Sequence, residues 1–531
     1  MVLSTPQYLK YLKFMERSSL TFQTLKNISY SVVGYLWPMI FTLFVTPILI
    51  FKLGIKNYGI YLFVNTAISL LGILDFGISI AVTKYMAYYH GQKNEEAIAT
   101  LSRSANSLFL IISFFGFLAL SVIALFGAKL LPAQFANYAQ YSPLFLLAGG
   151  IFFANNIDTT YTVTLNAFQR FDISNKIGII SITISSLSML VAVLLGGSLQ
   201  IIFLILLIIS ILFAFITFYS VKKILPQASF RFGWDREEVK KCYRFGVVTS
   251  INNIANTALS SLDRLIIPFF AGPSNLTYYS VPGNVTMRIP SFANTFSTTL
   301  FPMASQLDGK KDKAKIETFY IRSFRLITII ASALTITAVA FAYKILLYWL
   351  NADFASHSTD ILIILAFTNF ILALFGPLSA FLLGLGKLKF LTIMSVMMSI
   401  LNVILLCILL PLYGITGAAW AYLLSVVPVA YMFYYTEKNY LALSYRKKYY
   451  TKKIAYTFIT SCIVWIVDVF LLSPLVVNLT TLVIIGGVSV LGYLLLYRLF
   501  GFFEEEDWKD FDLFYGEILK NVIQYWRAIF T

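Results

Sequence analysis

The side chains best placed to do chemistry in this sequence are polar groups set inside long apolar runs. Arg288 lies about 13 residues into the run 275–305, or about 20 Å along a helix at 1.5 Å per residue, too deep for its guanidinium to reach water easily. Asn284, Arg288, Ser291, Thr295 and Thr298 recur at three- and four-residue spacing and would form one stripe on a helix. The run 246–271 carries a second stripe, Asn253, Asn256, Ser260 and either Asp263 or Arg264. A guanidinium among amides and hydroxyls suits anion binding, because its fixed fork of N–H donors matches phosphate or carboxylate oxygens. Arg264 also has a plainer reading: eight residues from Gly272, about 12 Å, it could pair with Asp263 or snorkel to the interface.

Asp75, Asp158 and Asp263 place carboxylates within apolar runs, where charge is costly and a coupling proton or sodium ion could bind. Asp75, in Leu74-Asp-Phe-Gly, has a second reading as a cap on neighbouring backbone. Lys84 follows at the inner end of the same run, and Asp468, near the outer boundary of a later run, is given no transport role. Tyr35, with Tyr30 and Trp37, could stack on a sugar or serve ordinary helix packing. His90 and His357 both fall in loops, leaving no imidazole at depth for acid–base chemistry. There is no glycine-rich phosphate loop with its lysine. Cys242, Cys407 and Cys462 show no paired spacing, so neither a disulfide nor a metal site is indicated. No cofactor is expected.

These groups must be positioned by membrane helices. Of the 531 residues 59% are hydrophobic and only 12% charged, a mix from which no water-facing surface can be built. Apolar runs long enough to cross a hydrocarbon core about 30 Å thick fall at 28–50, 57–82, 106–127, 141–166, 175–196, 199–220, 246–271, 275–305, 325–350, 359–384, 390–411, 414–435, 454–473 and 478–500. The expectation is an all-α integral membrane protein of about 14 transmembrane helices. Alternate loops on the N-terminal side carry about 34 of the 40 basic residues and the other side about four, which places both termini in the cytoplasm. The net charge of +16 is thereby explained without a nucleic-acid partner, and the short outer loops leave no external domain for an enzyme.

Shifting the chain by 218 superposes Gly54 on Gly272, Asn57 on Asn275, Tyr61 on Tyr279 and Lys93 on Lys311, and a shift of 217 matches Leu165 to Leu382, Arg170 to Lys387 and Gly197 to Gly414. The first six spans therefore look duplicated in the next six. The expected organisation is a cytoplasmic arm (1–27), an N-lobe (28–220), a basic linker (221–245), a C-lobe (246–435), two further spans after a basic loop (436–500) and an amphipathic tail (501–531). An even number of spans per copy makes the two lobes parallel, around a central cavity.

This pattern, with Asn57-Tyr-Gly, Leu74-Asp-Phe-Gly-Ile-Ser followed by Ala81-Val-Thr-Lys, Leu262-Asp-Arg and Leu300-Phe-Pro, resembles the polysaccharide-transporter, or Wzx-type oligosaccharide flippase, family. That family belongs to a superfamily that also holds multidrug exporters and lipid II flippases. The resemblance implies a flippase of the bacterial inner membrane, moving polyprenyl-diphosphate-linked oligosaccharide to the outer leaflet by alternating access. Its cavity would be lined by spans 1, 2, 7 and 8. Arg288 and Arg264 would hold the diphosphate, and Asn284, Asn256, Asn253, Ser291, Lys84 and Tyr35 would contact the rest of the headgroup. Asp75, Asp158 and Asp263 would couple transport to H+ or Na+, and polysaccharide-assembly proteins would be partners, with membrane lipids around the chain. The first lobe departs from the pattern in offering little deep positive charge beyond Lys84. A multidrug exporter would share the fold but favours buried carboxylates for cationic drugs. A membrane-embedded polymerase or ligase would need a larger outer loop.

Overall fold

The computed structural model describes residues 41–130, 138–291 apart from 227 and 229, residue 293, and residues 313–440 and 446–499. Tyr35, Tyr30, Trp37, Thr295, Thr298, the N-terminal arm and the amphipathic tail lie outside the described residues. Within them every regular element is helical, because lipid offers the backbone no partners and a helix satisfies its own N–H and C=O groups. In chain order the helices are α1 (Phe41–Leu53), α2 (Ile55–Leu71), α3 (Ile78–Gly91), α4 (Glu95–Leu130), α5 (Tyr138–Ala167), α6 (Phe171–Leu194), α7 (Leu199–Ile224), α8 (Arg236–Ala271) and α9 (Pro273–Thr286). They continue with α10 (Lys313–Ala340), α11 (Ala342–Trp349), α12 (Ala352–Gly384), α13 (Leu388–Ser425), α14 (Pro428–Tyr440), α15 (Arg446–Val467) and α16 (Leu479–Leu499).

Among the described residues, 9 helices are long and apolar enough to cross a membrane, and each of the about 14 expected spans contains helix. Large apolar side chains such as Phe114, Phe115 and Leu125 of α4 and Ile208, Ile211 and Phe215 of α7 point outward, as a lipid-facing surface requires and a water-facing one forbids. The expected spans 390–411 and 414–435 are separated by a kink at Gly414, with φ 60° and ψ −147° inside α13.

The chain divides into two compact units, Met1–Thr277 and Tyr278–Thr531. In the first, α4, α5 and α7 form the packed centre, and α8 lies against α2 and α3. The segment joining α7 to α8 is tied to α4: Asn106 donates to the Phe230 carbonyl at 2.8 Å, Ser107 bonds both backbone groups of Gly233, and the Asp235 N–H donates to Ser104 at 3.1 Å. In the second unit, α10 packs on α12 and on the α15–α16 pair.

Positions matched by the two shifts share backbone conformation as well. Gly54 and Gly272 both take positive φ, 81° and 86°, and the side chains of Asn57 and Asn275 both donate to the carbonyl four residues back, at 3.0 and 2.7 Å. Gln169 and Gly386, at the shift of 217, also share positive φ (56° and 71°). Each is followed by the same closing bond, Arg170 N–H to Leu165 C=O at 2.9 Å and Lys387 N–H to Leu382 C=O at 2.8 Å. Such left-handed helix ends satisfy carbonyls that a helix terminus would otherwise leave bare.

Candidate functional site

The second expected span is not one helix. α2 stops at Leu71, a tight turn covers Gly72–Asp75, Phe76 and Gly77 take left-handed conformations with φ 44° and 70°, and α3 begins at Ile78. Hydropathy alone could not show this, since Gly-Ile-Leu-Asp-Phe-Gly reads as nearly apolar. Asp75 accepts hydrogen bonds from both the backbone N–H and the hydroxyl of Ser79, each at 3.1 Å, and so satisfies the open first turn of α3. Gly246 of α8 sits directly on the break: a Cβ there would come within 2.6 Å of the Phe76 carbonyl oxygen.

Two turns beyond the break, the Lys84 ammonium lies 3.8 Å from the centre of the Phe245 ring and 5.1 Å from that of Tyr85, a cation–π arrangement that fixes its charge beside α8. Farther along, Tyr89 donates to Glu238 at 2.8 Å, and Lys241 donates to Glu238 at 2.7 Å and to the Tyr89 oxygen at 3.3 Å. Burial and the Glu238 carboxylate raise the Tyr89 phenol above its ordinary range, while the bond to Glu238 raises the Lys241 ammonium. The neighbouring Cys242 thiol is pushed up to about 12, chiefly by burial. Sequence reasoning passed over this cluster because its members lie 149 residues apart.

On α8 the structure resolves the stripe that spacing left open. Ala255, Leu259, Asp263 and Ile267 form the buried face, with Asp263 only 3% exposed, and the Asp263 carboxylate accepts the Arg264 N–H at 2.7 Å. Asn253 and Asn256 are exposed, and Ser260 and Arg264 are half-buried, so Arg264 rather than Asp263 continues the amide stripe. Exposed amides in a membrane-spanning helix are costly against hydrocarbon. Asp158 of α5 is half-buried; Thr162 donates to one of its oxygens at 3.5 Å, and the other oxygen has no partner among the described residues.

In the second unit, α9 ends at Thr286, a turn occupies Met287, and helix resumes at Arg288. The interruption is pinned by Asn369 of α12, which is 2% exposed and donates to Thr286 Oγ1 at 3.0 Å and to the Leu365 carbonyl at 2.9 Å. Asn369 was missed from sequence, although an amide in the middle of an apolar span signals it by the same rule that selected Asn284. Ser291 donates its hydroxyl back to the Met287 carbonyl at 2.7 Å, and Asn284 is half-buried one turn before Arg288. Arg288 itself is half-buried, and among the described residues no carboxylate pairs with it.

The family model described as "Polysaccharide biosynthesis protein" matches residues 24–308, and the MatE model matches 249–408. The chain is 22% identical over 414 residues to a Shigella flexneri protein named "Putative O-antigen transporter", covering 76% of this chain and 95% of that one. It is also 22% identical over 400 residues to "Uncharacterized membrane protein EpsK" of Bacillus subtilis, covering 74% and 79%. Among solved structures its fold is similar to the lipid II flippase MurJ in an inward closed conformation, with a TM-score of 0.67, 15% identity, and coverage of 89% of this chain and 99% of that one. It is similar too to an inward-facing multidrug resistance MATE transporter, with a TM-score of 0.56, 15% identity, and coverage of 78% and 99%. With a model spanning more than half of its length and the expected helical architecture in place, this multi-pass membrane protein belongs to the polysaccharide biosynthesis protein family.

Proposed function

We propose that this chain is a flippase that carries polyprenyl-diphosphate-linked oligosaccharide, a repeat unit of O-antigen, capsule or exopolysaccharide, from the cytoplasmic to the outer leaflet of a bacterial inner membrane. It is a transporter, not an enzyme. The family membership, the O-antigen transporter named among its relatives and a fold like that of a lipid II flippase support the substrate class. The observation that carries the reading is Arg288: half-buried at a helix interruption, with no acidic partner among the described residues, it offers paired donors for a diphosphate. Arg264 supplies a second guanidinium on its own amide stripe with Asn253 and Asn256, while Asn284 and Ser291 flank Arg288 and bond sugar hydroxyls. Lys84, held by its aromatic neighbours near the cytoplasmic end of α3, meets the headgroup on entry, and Tyr35 stacks on a sugar. Both termini are cytoplasmic, and transport runs by alternating access driven by a proton or sodium gradient through Asp75, Asp158 or Asp263. Polysaccharide-assembly proteins take up the product.

The MatE match over 249–408 favours a second reading, export of a cationic drug, against which a guanidinium at depth counts by charge repulsion. The test is reconstitution in liposomes with a fluorescent polyprenyl-diphosphate oligosaccharide and a membrane-impermeant quencher. Wild type should expose the lipid faster than protein-free vesicles do. Arg288→Ala should slow exposure roughly 10-fold or more, the cost of a charged hydrogen bond of about 1.5–3 kcal/mol, and Arg288→Lys should recover part of it. Wild-type exchange no faster than bare vesicles with several such lipids, together with gradient-driven export of a cationic dye, would overturn the flippase reading.

A further inference from the structure

The α10, α15 and α16 helices of the second unit meet along tiers of hydroxyl groups. Tyr497 of α16 lies 3.5 Å from Thr457 of α15. One turn on, Tyr493 bonds Ser332 of α10 at 2.8 Å and Ser461 of α15 at 3.2 Å. Another turn on, Ser489 donates to Asp468 Oδ2 at 2.6 Å and shares a 2.8 Å bond with Thr337 of α10. Asp468 is 0% exposed, and its Oδ1 has no partner among the described residues. It opens a π-helical turn, Asp468–Leu472, a distortion that widens a helix and recurs at functional sites. Two more hydroxyls of the same helices, Thr335 and Thr460, are 2% and 0% exposed and have no partner among the described residues.

We infer that Asp468, with Ser489 and Thr337, forms a proton-binding site within the membrane, in which the proton rides on Oδ1. An ionised carboxylate sealed in an apolar interface with one hydrogen bond is strongly disfavoured, whereas a neutral carboxyl accepts from Ser489 at its carbonyl oxygen and carries its O–H on the other. The charged and titratable groups facing this interface do not neutralise it. Lys344 of α11 spends its ammonium on the carbonyls of Ser473 and Val476, and Tyr348 donates to the Val476 carbonyl at 3.2 Å. Tyr493 and Tyr497 present phenols, Cys462 a thiol, and Arg325 lies 12 residues before Thr337 on α10, about 18 Å away along the axis. Release of the proton therefore requires the interface to open. The tiers of hydroxyls, about 6 Å apart along α16, give the proton polar stopping points on its way. Polar contacts alone could serve as glue between membrane helices, but glue needs neither an acid nor an orphaned oxygen: asparagine would do.

Infrared difference spectra of the protein in lipid vesicles, taken across steps from about pH 5 to about pH 9, separate the two. A protonated-carboxyl C=O band should be present in wild type, fade on the alkaline side, shift in D₂O, and be lost in Asp468→Asn, a variant that keeps an acceptor for Ser489. Asp468→Glu should keep a displaced band, and Ser489→Ala should move the band and its midpoint, so the site stays testable if the asparagine variant folds poorly. A spectrum with no band assignable to Asp468, or a band unchanged across the whole range, would reduce the cluster to helix glue. A change that follows sodium rather than pH would replace the proton with a metal cation. None of these readouts uses a lipid substrate, so the site stands or falls apart from the flippase reading.

Discussion

Replacing Gly246 with alanine tests whether the break between α2 and α3 is held from outside. The added Cβ would meet the Phe76 carbonyl oxygen at 2.6 Å and the Gly77 carbonyl carbon at 3.2 Å, and both are backbone atoms that cannot swing aside. Either α8 backs away or the turn shifts, an overpacking cost of about 1–3 kcal/mol. Two glycines in the break supply controls of known sign. Gly72 has φ −57° and nothing within 4 Å of an added Cβ, so Gly72→Ala should leave stability unchanged or raise it by about 0.4–1 kcal/mol through the unfolded chain. Gly77 has φ 70°, and Gly77→Ala should cost about 1–2 kcal/mol for a left-handed conformation. The assay is the midpoint for heat-induced loss of the monodisperse species in detergent. The expected order is Gly72→Ala at or above wild type, with both Gly77→Ala and Gly246→Ala below. The Gly77→Ala/Gly246→Ala double variant should fall short of the sum, because one displaced turn relieves both clashes. A Gly246→Ala protein as stable as wild type would refute the claim that α8 seats on the break.

Asp75→Ala should lose about 1 kcal/mol of the cap on α3, while Asp75→Asn, which still accepts from Ser79, should lose little; thermal midpoints of the two variants check this. If Asp75 also couples transport, Asp75→Asn alone abolishes the gradient dependence of lipid exposure in the quencher assay. Cys242, buried and with its thiol pushed up to about 12, is almost wholly protonated near neutrality and should resist maleimide in the folded protein. In a chain whose other cysteines are replaced, label should enter only after denaturation, and rapid native labelling would contradict the packing of α8 on α3. Asn369→Leu leaves Thr286 without its donor and should straighten α9, shifting the spectrum of a spin label attached near Met287; an unchanged spectrum would show that the turn holds itself.

The helical architecture was legible because lipid imposes it: about 20 apolar residues per crossing and helix as the self-satisfying backbone leave few alternatives. The amide stripe of α8 was legible for the same reason, since Asn253 and Asn256 are expensive where they stand; the stripe expected over 275–305 is interrupted by the turn at Met287. Spacing could not choose between Asp263 and Arg264, because adjacent residues differ by only 100° of helix rotation, within the width of one polar face. The packing of Ala255, Leu259 and Ile267 makes that choice, and it turns the carboxylate inward and leaves the guanidinium in line with the amides. Both readings of Asp75 used the same residue types, and the bonds from Ser79 establish the capping one without excluding coupling. The Tyr89–Glu238–Lys241 contacts and the seat of Gly246 depend on chain segments far apart in sequence, for which no local periodicity exists.

The duplication joins these particulars. At a shift of 218, Leu70 and Leu71 of the first copy correspond to Arg288 and Ile289 of the second. α2 ends at Leu71 and α9 ends at Thr286, so the two matched helices are interrupted within about three residues of corresponding positions. The breaks are made by different means: the first with a left-handed Phe76–Gly77 step capped by Asp75, the second with a turn at Met287 beside the Asn369–Thr286 bond. An interrupted membrane helix frees backbone groups and changes the direction of side chains, which is why discontinuous helices mark binding sites in transporters. The interruption is thus common to the matched helices, and the residues around it differ: a carboxylate turned to its own backbone in one, a guanidinium with no acidic partner among the described residues in the other. The scarcity of deep basic residues in the first six spans thus goes with a break that a carboxylate closes on its own backbone.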